Sequence, residues 1–136
     1  MNPPSIMATT PEANSIVGDV FLVAHQSNDF RNVLHTTKRT QLVVMHLRQR
    51  EELKSEVHAE ADQIFVFVSG SGFVTIGQRM RYVRTGHVAV VAAGTRHAIQ
   101  ASDNSSLRFF TIYSPPQHAP GTRQATMADE KNEKKY

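Results

Sequence analysis

Short runs of apolar and β-branched residues follow one another along the chain, and clusters of glycine, asparagine, aspartate and serine separate them. The runs are Val20 to His25, Val33 to Thr36, Thr40 to Leu47, Gln63 to Val68, Gly72 to Ile76, Met80 to Val83, Val88 to Ala92, His97 to Ala101 and Leu107 to Tyr113. Their length and their enrichment in Val, Ile, Phe, Thr and Tyr predict the strands of an antiparallel sandwich or barrel. Ser69-Gly70-Ser71-Gly72 reads as a hairpin between two of these strands, and Gly77-Gln78 as a second. No stretch carries a sustained helical stripe, and Gln49 to Lys54 is polar and too short to hold a helix alone. No internal repeat is visible, so one barrel is expected.

The ends differ in character from the middle. Residues 1–17 carry Pro3, Pro4 and Pro11 without periodicity and predict a flexible arm. The barrel is expected over residues 18–116. Residues 117–136 read as a polar tail rich in lysine and glutamate near its end, with Pro120 and Gly121 breaking regular structure, and are expected to be mobile.

Composition narrows the chemistry. A chain of 136 residues builds a single core. With no cysteine there are no disulfides, thiolate metal sites or thiol nucleophiles, so any metal is held by nitrogen and oxygen. The N-terminus lacks a basic segment followed by an apolar run, and eighteen consecutive apolar residues occur nowhere, which predicts a cytoplasmic protein without membrane association. The formal charge is +3. The basic run Arg79 to Arg84 reads as a solvated strand face, since no nucleic-acid-binding signature accompanies it. A Gly-x-Ser-x-Gly elbow is absent, and the Ser-Gly run has no Lys-Ser/Thr pair or following helix to make a phosphate loop.

Two segments carry a resemblance. Glu56-Val57-His58-Ala59-Glu60-Ala61-Asp62-Gln63 continuing to Gly70, and Gly86-His87-Val88 continuing through Gly94-Thr95-Arg96-His97, resemble the two metal-bearing motifs of a cupin barrel, a jelly roll also described as a double-stranded β-helix. Counting back from Gly70 places Gln63 where the family has glutamate, His58 at its second histidine and Glu56 at its first. Counting forward from Gly86 places Ala92 at the proline, Gly94 at the glycine, His97 at the histidine and Ala101 at the asparagine. Arg50 stands at the spacing of the first motif's opening glycine. The resemblance runs from about Gln41 to Pro116, and Phe110 to His118 is similar to the closing strand of small single-domain cupins.

What the resemblance implies is an all-β fold and a divalent metal held by Glu56, His58, Gln63 and His97. Side chains two apart on a strand share a face, so Glu56 and His58 can converge, with Gln63 joining from the next strand and His97 from another hairpin. Two imidazoles, one carboxylate and one amide carry the same charge as the family's three imidazoles and one carboxylate. Iron or manganese is expected first, with zinc or nickel as alternatives. A metal-free barrel whose polar quartet is hydrogen-bonded internally is the competing expectation. Asp62 competes with Gln63 as the oxygen donor; strand alternation with Phe65 and Phe67 inward favours Gln63. His46, Phe65, Phe67 and Tyr113 are expected to line a ligand pocket, and His118 to lie in a surface loop.

For function, the resemblance implies a small-molecule site inside the barrel. A metal-dependent enzyme of the oxygenase or sugar isomerase kind is one expectation, and a non-catalytic binding module for a sugar or small acid is the other. An apolar outer face formed by Ile64, Val66 and Val68 would need a partner or a covering strand, so a homodimer is expected.

Overall fold

The computed structural model describes residues 7–10 and 14–133, and most of its regular structure is antiparallel strand. Strands β1 (Met7–Thr10) and β2 (Ser15–Gly18) pair with each other. Helix α1 (Val20–Gln26) follows, then β3 (Arg31–Thr36), β4 (Gln41–Leu47), β5 (Glu52–Glu56), β6 (Asp62–Ile76), β7 (Arg79–Arg84), β8 (Val88–Val91), β9 (His97–Ala101), β10 (Leu107–Ser114) and β11 (Arg123–Gln124), and a 3-10 helix closes the series over Met127–Asn132. The main sheet runs β11-β3-β4-β10-β6-β9-β5, with β7 and β8 also paired to β6, and curls on itself as expected of a jelly roll. No helix among the described residues is long and apolar enough to cross a membrane.

Strand β6 is the spine. Its first half pairs with β10 on one edge and β8 on the other, and its second half pairs with β9 and β7. The hairpin expected at Ser69-Gly70-Ser71-Gly72 is therefore not there: the chain runs through it without turning back. Those glycines serve a close approach instead. Gly70 has φ +85°, and a Cβ there would lie 1.7 Å from the Ser106 carbonyl oxygen; at Gly72 it would lie 2.3 Å from that of Gln100. At the same place the register with β10 slips, pairing Arg108 with Ser69 but Phe109 with Phe67, which bends the strand from one sheet into the other. The expected two-residue turn at Gly77-Gln78 is present between β6 and β7.

Alternation sorts the side chains. Phe65, Phe67, Phe109, Val43, Met45, Leu47 and Ile99 fill the interior, with Phe65, Phe67 and Phe109 in ring contact at centroid separations of 5.6 to 6.4 Å. The opposite face, with Val44, Val66, Val68 and Phe110, lies under helix α1 through Ala24, Val20 and Val23. Val20 to His25, read from the sequence as a strand, is thus helical. The side chain of Asp19 accepts the Leu22 amide at 3.0 Å as an N-cap, and burial of Ala24 decides the conformation over the weak strand preference of the valines. This helix also covers Val66 and Val68, for which the sequence asked a partner or a covering strand; Val88 and Val90 remain 60% and 63% exposed beside them.

Part of the expected N-terminal arm, residues 1–6 and 11–13, lies outside the described residues, as do 134–136 of the expected tail. The described part of that tail folds back: β11 pairs with β3, and Met127 packs against the interior cluster. Gln49 to Lys54, left without an element by the sequence, contributes β5, which pairs with β9.

Candidate metal centre

Strands β5 and β9 bring the first two side chains together, because Glu56 and His97 are register partners across that pair. His58 follows in the loop that leads to β6. That loop is clipped to the turn before β9 by two bonds, from the Gly94 amide to the His58 carbonyl at 2.8 Å and from the Ala93 amide to Asp62 Oδ1 at 2.9 Å. Asp62 is exposed and spends its carboxylate on that clip, while Gln63, one residue on, is buried and faces inward. Ligand atoms of Glu56, His58 and His97 all lie within 4.8 Å of one another, and Gln63 Oε1 sits 3.1 Å from His97 Nε2.

Two members of this group, His97 and Gln63, are oriented from behind. His97 Nδ1 donates to the Thr95 carbonyl at 3.0 Å, which leaves the lone pair of Nε2 pointing inward. The Gln63 amide nitrogen donates to Thr111 Oγ1 at 3.0 Å, and that hydroxyl donates in turn to the Ile64 carbonyl at 2.8 Å. In this orientation two lone pairs, Nε2 of His97 and Oε1 of Gln63, meet each other. An imidazolium would reconcile them, but burial is the leading influence on His97 and holds its proton affinity below the ordinary histidine value, with the nearby His58 acting in the same direction. A cation between them would reconcile them too.

His58 points the same way. Its Nε2 is buried, lies 3.0 Å from Glu56 Oε2 and yet has no hydrogen-bond partner of acceptable geometry. A buried polar atom without a partner costs about 1–3 kcal/mol, so an inward-facing orphan nitrogen among a carboxylate, an imidazole and an amide fits a divalent ion of borderline to hard character.

The expected pocket residues divide. Phe65 sets its ring against His97 at 5.9 Å, and Tyr113 meets the His58 ring edge-on at 5.4 Å, so both belong to the wall of the site. Phe67 lies one layer deeper, against Phe65 and Phe109. His46 does not join them. It shares the parity of Val44, outside the barrel interior, and its Nδ1 is 3.5 Å from the Asn28 carbonyl; the apolar residues on both faces of β4 concealed which way it turned. Burial, with help from the nearby Arg108, lowers its proton affinity as well.

His118 also departs from expectation. It is buried, with Nε2 3.1 Å from the Tyr113 hydroxyl and Nδ1 on the Glu133 carboxylate. Behind it lies Arg31, 0% exposed, bonded to Gln124 Oε1 at 2.7 Å, Glu133 Oε1 at 2.8 Å and Glu130 Oε2 at 3.0 Å. Nothing in the spacing of Arg31 or Glu133 marks them, because 102 positions separate the two. Only the resemblance of the run ending at His118 to a family closing strand hinted that this end of the chain returns to the barrel.

Comparison with known proteins bears on the fold that carries these residues. The family model described as a cupin domain matches residues 43–113. The protein YrkC of Bacillus subtilis is 36% identical over 110 residues, covering 76% of this chain and 59% of that one. A protein of Acanthamoeba polyphaga mimivirus is 38% identical over 96 residues, covering 68% and 60%. This chain therefore spans about three fifths of the length of these curated relatives. Among solved structures, that of BH2720 from Bacillus halodurans superposes with a TM-score of 0.84 at 27% identity, over 92% of this chain and 99% of that one.

Proposed function

This chain belongs to the cupin domain family, and from that membership we propose that it is a metal-binding cupin in which Glu56, His58, Gln63 and His97 hold one divalent cation beside a small-molecule site inside the barrel. The convergence of Glu56, His58 and His97 carries the reading. Iron and manganese suit two imidazoles, a carboxylate and an amide, ahead of zinc and nickel. Bound there, the cation would supply a Lewis acid for a substrate oxygen or a centre for dioxygen, the chemistry of an isomerase or an oxygenase.

The chain's own groups complete the site. The Thr95 carbonyl and the Thr111 hydroxyl fix the two ligands that would otherwise rotate, His97 and Gln63. Phe65 walls off water beside His97. Burial pushes the Tyr113 hydroxyl well above its ordinary value, so it stays protonated and is able to donate a hydrogen bond to a substrate oxygen.

One observation favours the second reading, a catalytically silent binder of a sugar or small acid. Turning the Gln63 amide end for end would let its nitrogen donate to His97, and its oxygen would accept from Thr111 once that hydroxyl turns from the Ile64 carbonyl, so the quartet can satisfy much of itself without a cation. Elemental analysis separates the two: protein purified without chelator or histidine tag and supplied with metal should carry about one equivalent per chain. Less than about a tenth of an equivalent would leave the metal-free binder as the surviving reading.

A further inference from the structure

The most heavily built polar group outside the metal residues is the nest around the Glu133 carboxylate. Arg31 of β3 gives Nη1 to Glu133 Oε1 at 2.8 Å, Gln124 of β11 gives Nε2 to the same oxygen at 3.1 Å, and the imidazole of His118 sits on Oε2. The Arg31 and His118 side chains are 0% and 1% exposed, and the carboxylate they hold is 1% exposed. A guanidinium taken fully out of water needs an anion in front of it, so the three donors form a receptor for a carboxylate whichever molecule carries it. The Arg31 Nε–H is buried and has no acceptor, which leaves the receptor with a donor that Glu133 does not use.

The receptor and its occupant are attached to the molecule very differently. Arg31 and Gln124 lie on paired strands, and His118 is fixed from behind by Gln41, whose Oε1 accepts the His118 amide at 3.1 Å and whose Nε2 donates to the His118 carbonyl at 2.8 Å. Glu133 follows the 3-10 helix, in which Ala128, Asp129 and Lys131 are exposed and Met127 is the residue packed against the interior. The nest also adjoins the metal residues, with the buried Tyr113 between them. His118 Nε2 is 3.1 Å from the Tyr113 hydroxyl, Tyr113 is the register partner of Gln63, and its ring lies against His58.

We propose that Arg31, His118 and Gln124 form the carboxylate subsite of the small-molecule site, that Glu133 fills it in cis, and that a small organic acid takes its place when the C-terminal segment swings away. The proposal rests on the reading that a small-molecule site adjoins the metal residues, and it adds the ligand class and an internal competitor. The carboxylate of the acid would lie on Arg31, with the remainder of the molecule directed past Tyr113 toward His58 and Gln63.

The test uses the full chain carrying Glu133→Ala, stripped of metal with chelator, and propionate as the probe, since propionate reproduces the glutamate side chain. Thermal midpoints and ligand-observed NMR titrations should show propionate binding the variant with a Kd of about 1 mM, at least about tenfold tighter than the wild type. Propionamide, of the same shape without the charge, should not bind. Glu133→Gln, which keeps the volume, should behave like the alanine variant if the latter folds poorly. Equal propionate binding by wild type and variants, or none by folded variants, overturns the proposal. So does failure of both variants to fold even with propionate present, because Glu133 would then be an irreplaceable structural ion. Manganese titration of the same samples keeps the two ideas apart. Normal manganese binding without propionate binding removes only the carboxylate subsite; propionate binding without manganese binding removes only the metal centre. Propionate binding that appears only after manganese is added places the carboxylate on the metal and overturns the subsite.

Discussion

Replacing Gln63 by glutamate separates what this corner does for the fold from what it does for a cation. Gln63 is 1% exposed, and its amide nitrogen donates to a Thr111 hydroxyl whose own proton is committed to the Ile64 carbonyl. In metal-free Gln63→Glu, a carboxyl group would face a lone pair of that hydroxyl and sit in the same cluster as Glu56. An unpaired buried acceptor costs about 1–3 kcal/mol, and an ionised one more, so the group should keep its proton well above the usual carboxylate range. At neutral pH the metal-free variant should be about 2–3 kcal/mol less stable than the wild type, or roughly 8–12 °C in thermal midpoint for a chain of this size. The sign follows from the raised folded-state value. The folded variant binds more protons than the unfolded chain, so its ionisation penalty is absent below an ordinary glutamate value of about 4.3 and grows as pH rises above it. Above about pH 7 a divalent cation should win the competition with that proton, and manganese or iron(II) should bind at least about tenfold more tightly than to the wild type. At a thousand times its Kd the metal returns about 4 kcal/mol, more than the deficit. Scanning calorimetry with chelator and with manganese, together with titration calorimetry at two pH values, reads each part. An unchanged metal-free midpoint with unchanged affinity at the higher pH would show that Gln63 does not face the cation.

His97→Ala should lower manganese affinity more than about a hundredfold while circular dichroism still reports the strands, because Ala98 and Ile99 offer no replacement ligand; retained affinity would remove His97 from the site. Gly70→Ala should cost about 2–4 kcal/mol, combining a left-handed φ with a Cβ driven into the Ser106 carbonyl, and a denaturant midpoint like the wild type's would refute the close approach. Burial lowers the proton affinity of both His46 and His97, so below their ordinary value of 6.5 the unfolded chain binds protons that the folded one refuses, and metal-free stability should fall as pH drops through that region. His46→Gln should flatten part of this slope without changing manganese binding; a slope unchanged by the substitution would place the effect elsewhere.

The fold and the convergence of the candidate metal residues were legible in the sequence for a specific reason. Period-two alternation fixes which side of a strand faces the interior, so the count back from Gly70 selected Gln63 over Asp62, and Asp62 turns outward to hold the Ala93 amide. Alternation fails where both parities are apolar, as on β4, and there it leaves the side of His46 open. The Ser-Gly run misled because glycine marks tight turns and close backbone contacts alike, and only the neighbouring Ser106 and Gln100 carbonyls tell which applies. Helix α1 was hidden by valines; Asp19 before the run was the available cap signal. Arg31 and Glu133 could not be paired from sequence at all, since charge complementarity over such a separation has no period.

A strand that belongs to both halves of a barrel changes how the molecule comes apart. The fifteen residues of β6 carry ladders to four other strands, so the two halves of the barrel share one continuous strand and cannot separate from each other without breaking it. Amide hydrogen exchange along β6 should therefore proceed by one global opening rather than by a series of partial ones, with protection nearly level from Ile64 to Thr75. Any ligand that steadies Gln63 near one end of this strand would then slow exchange at Val74 near the other, without a wire of contacts between them, because both report the same event.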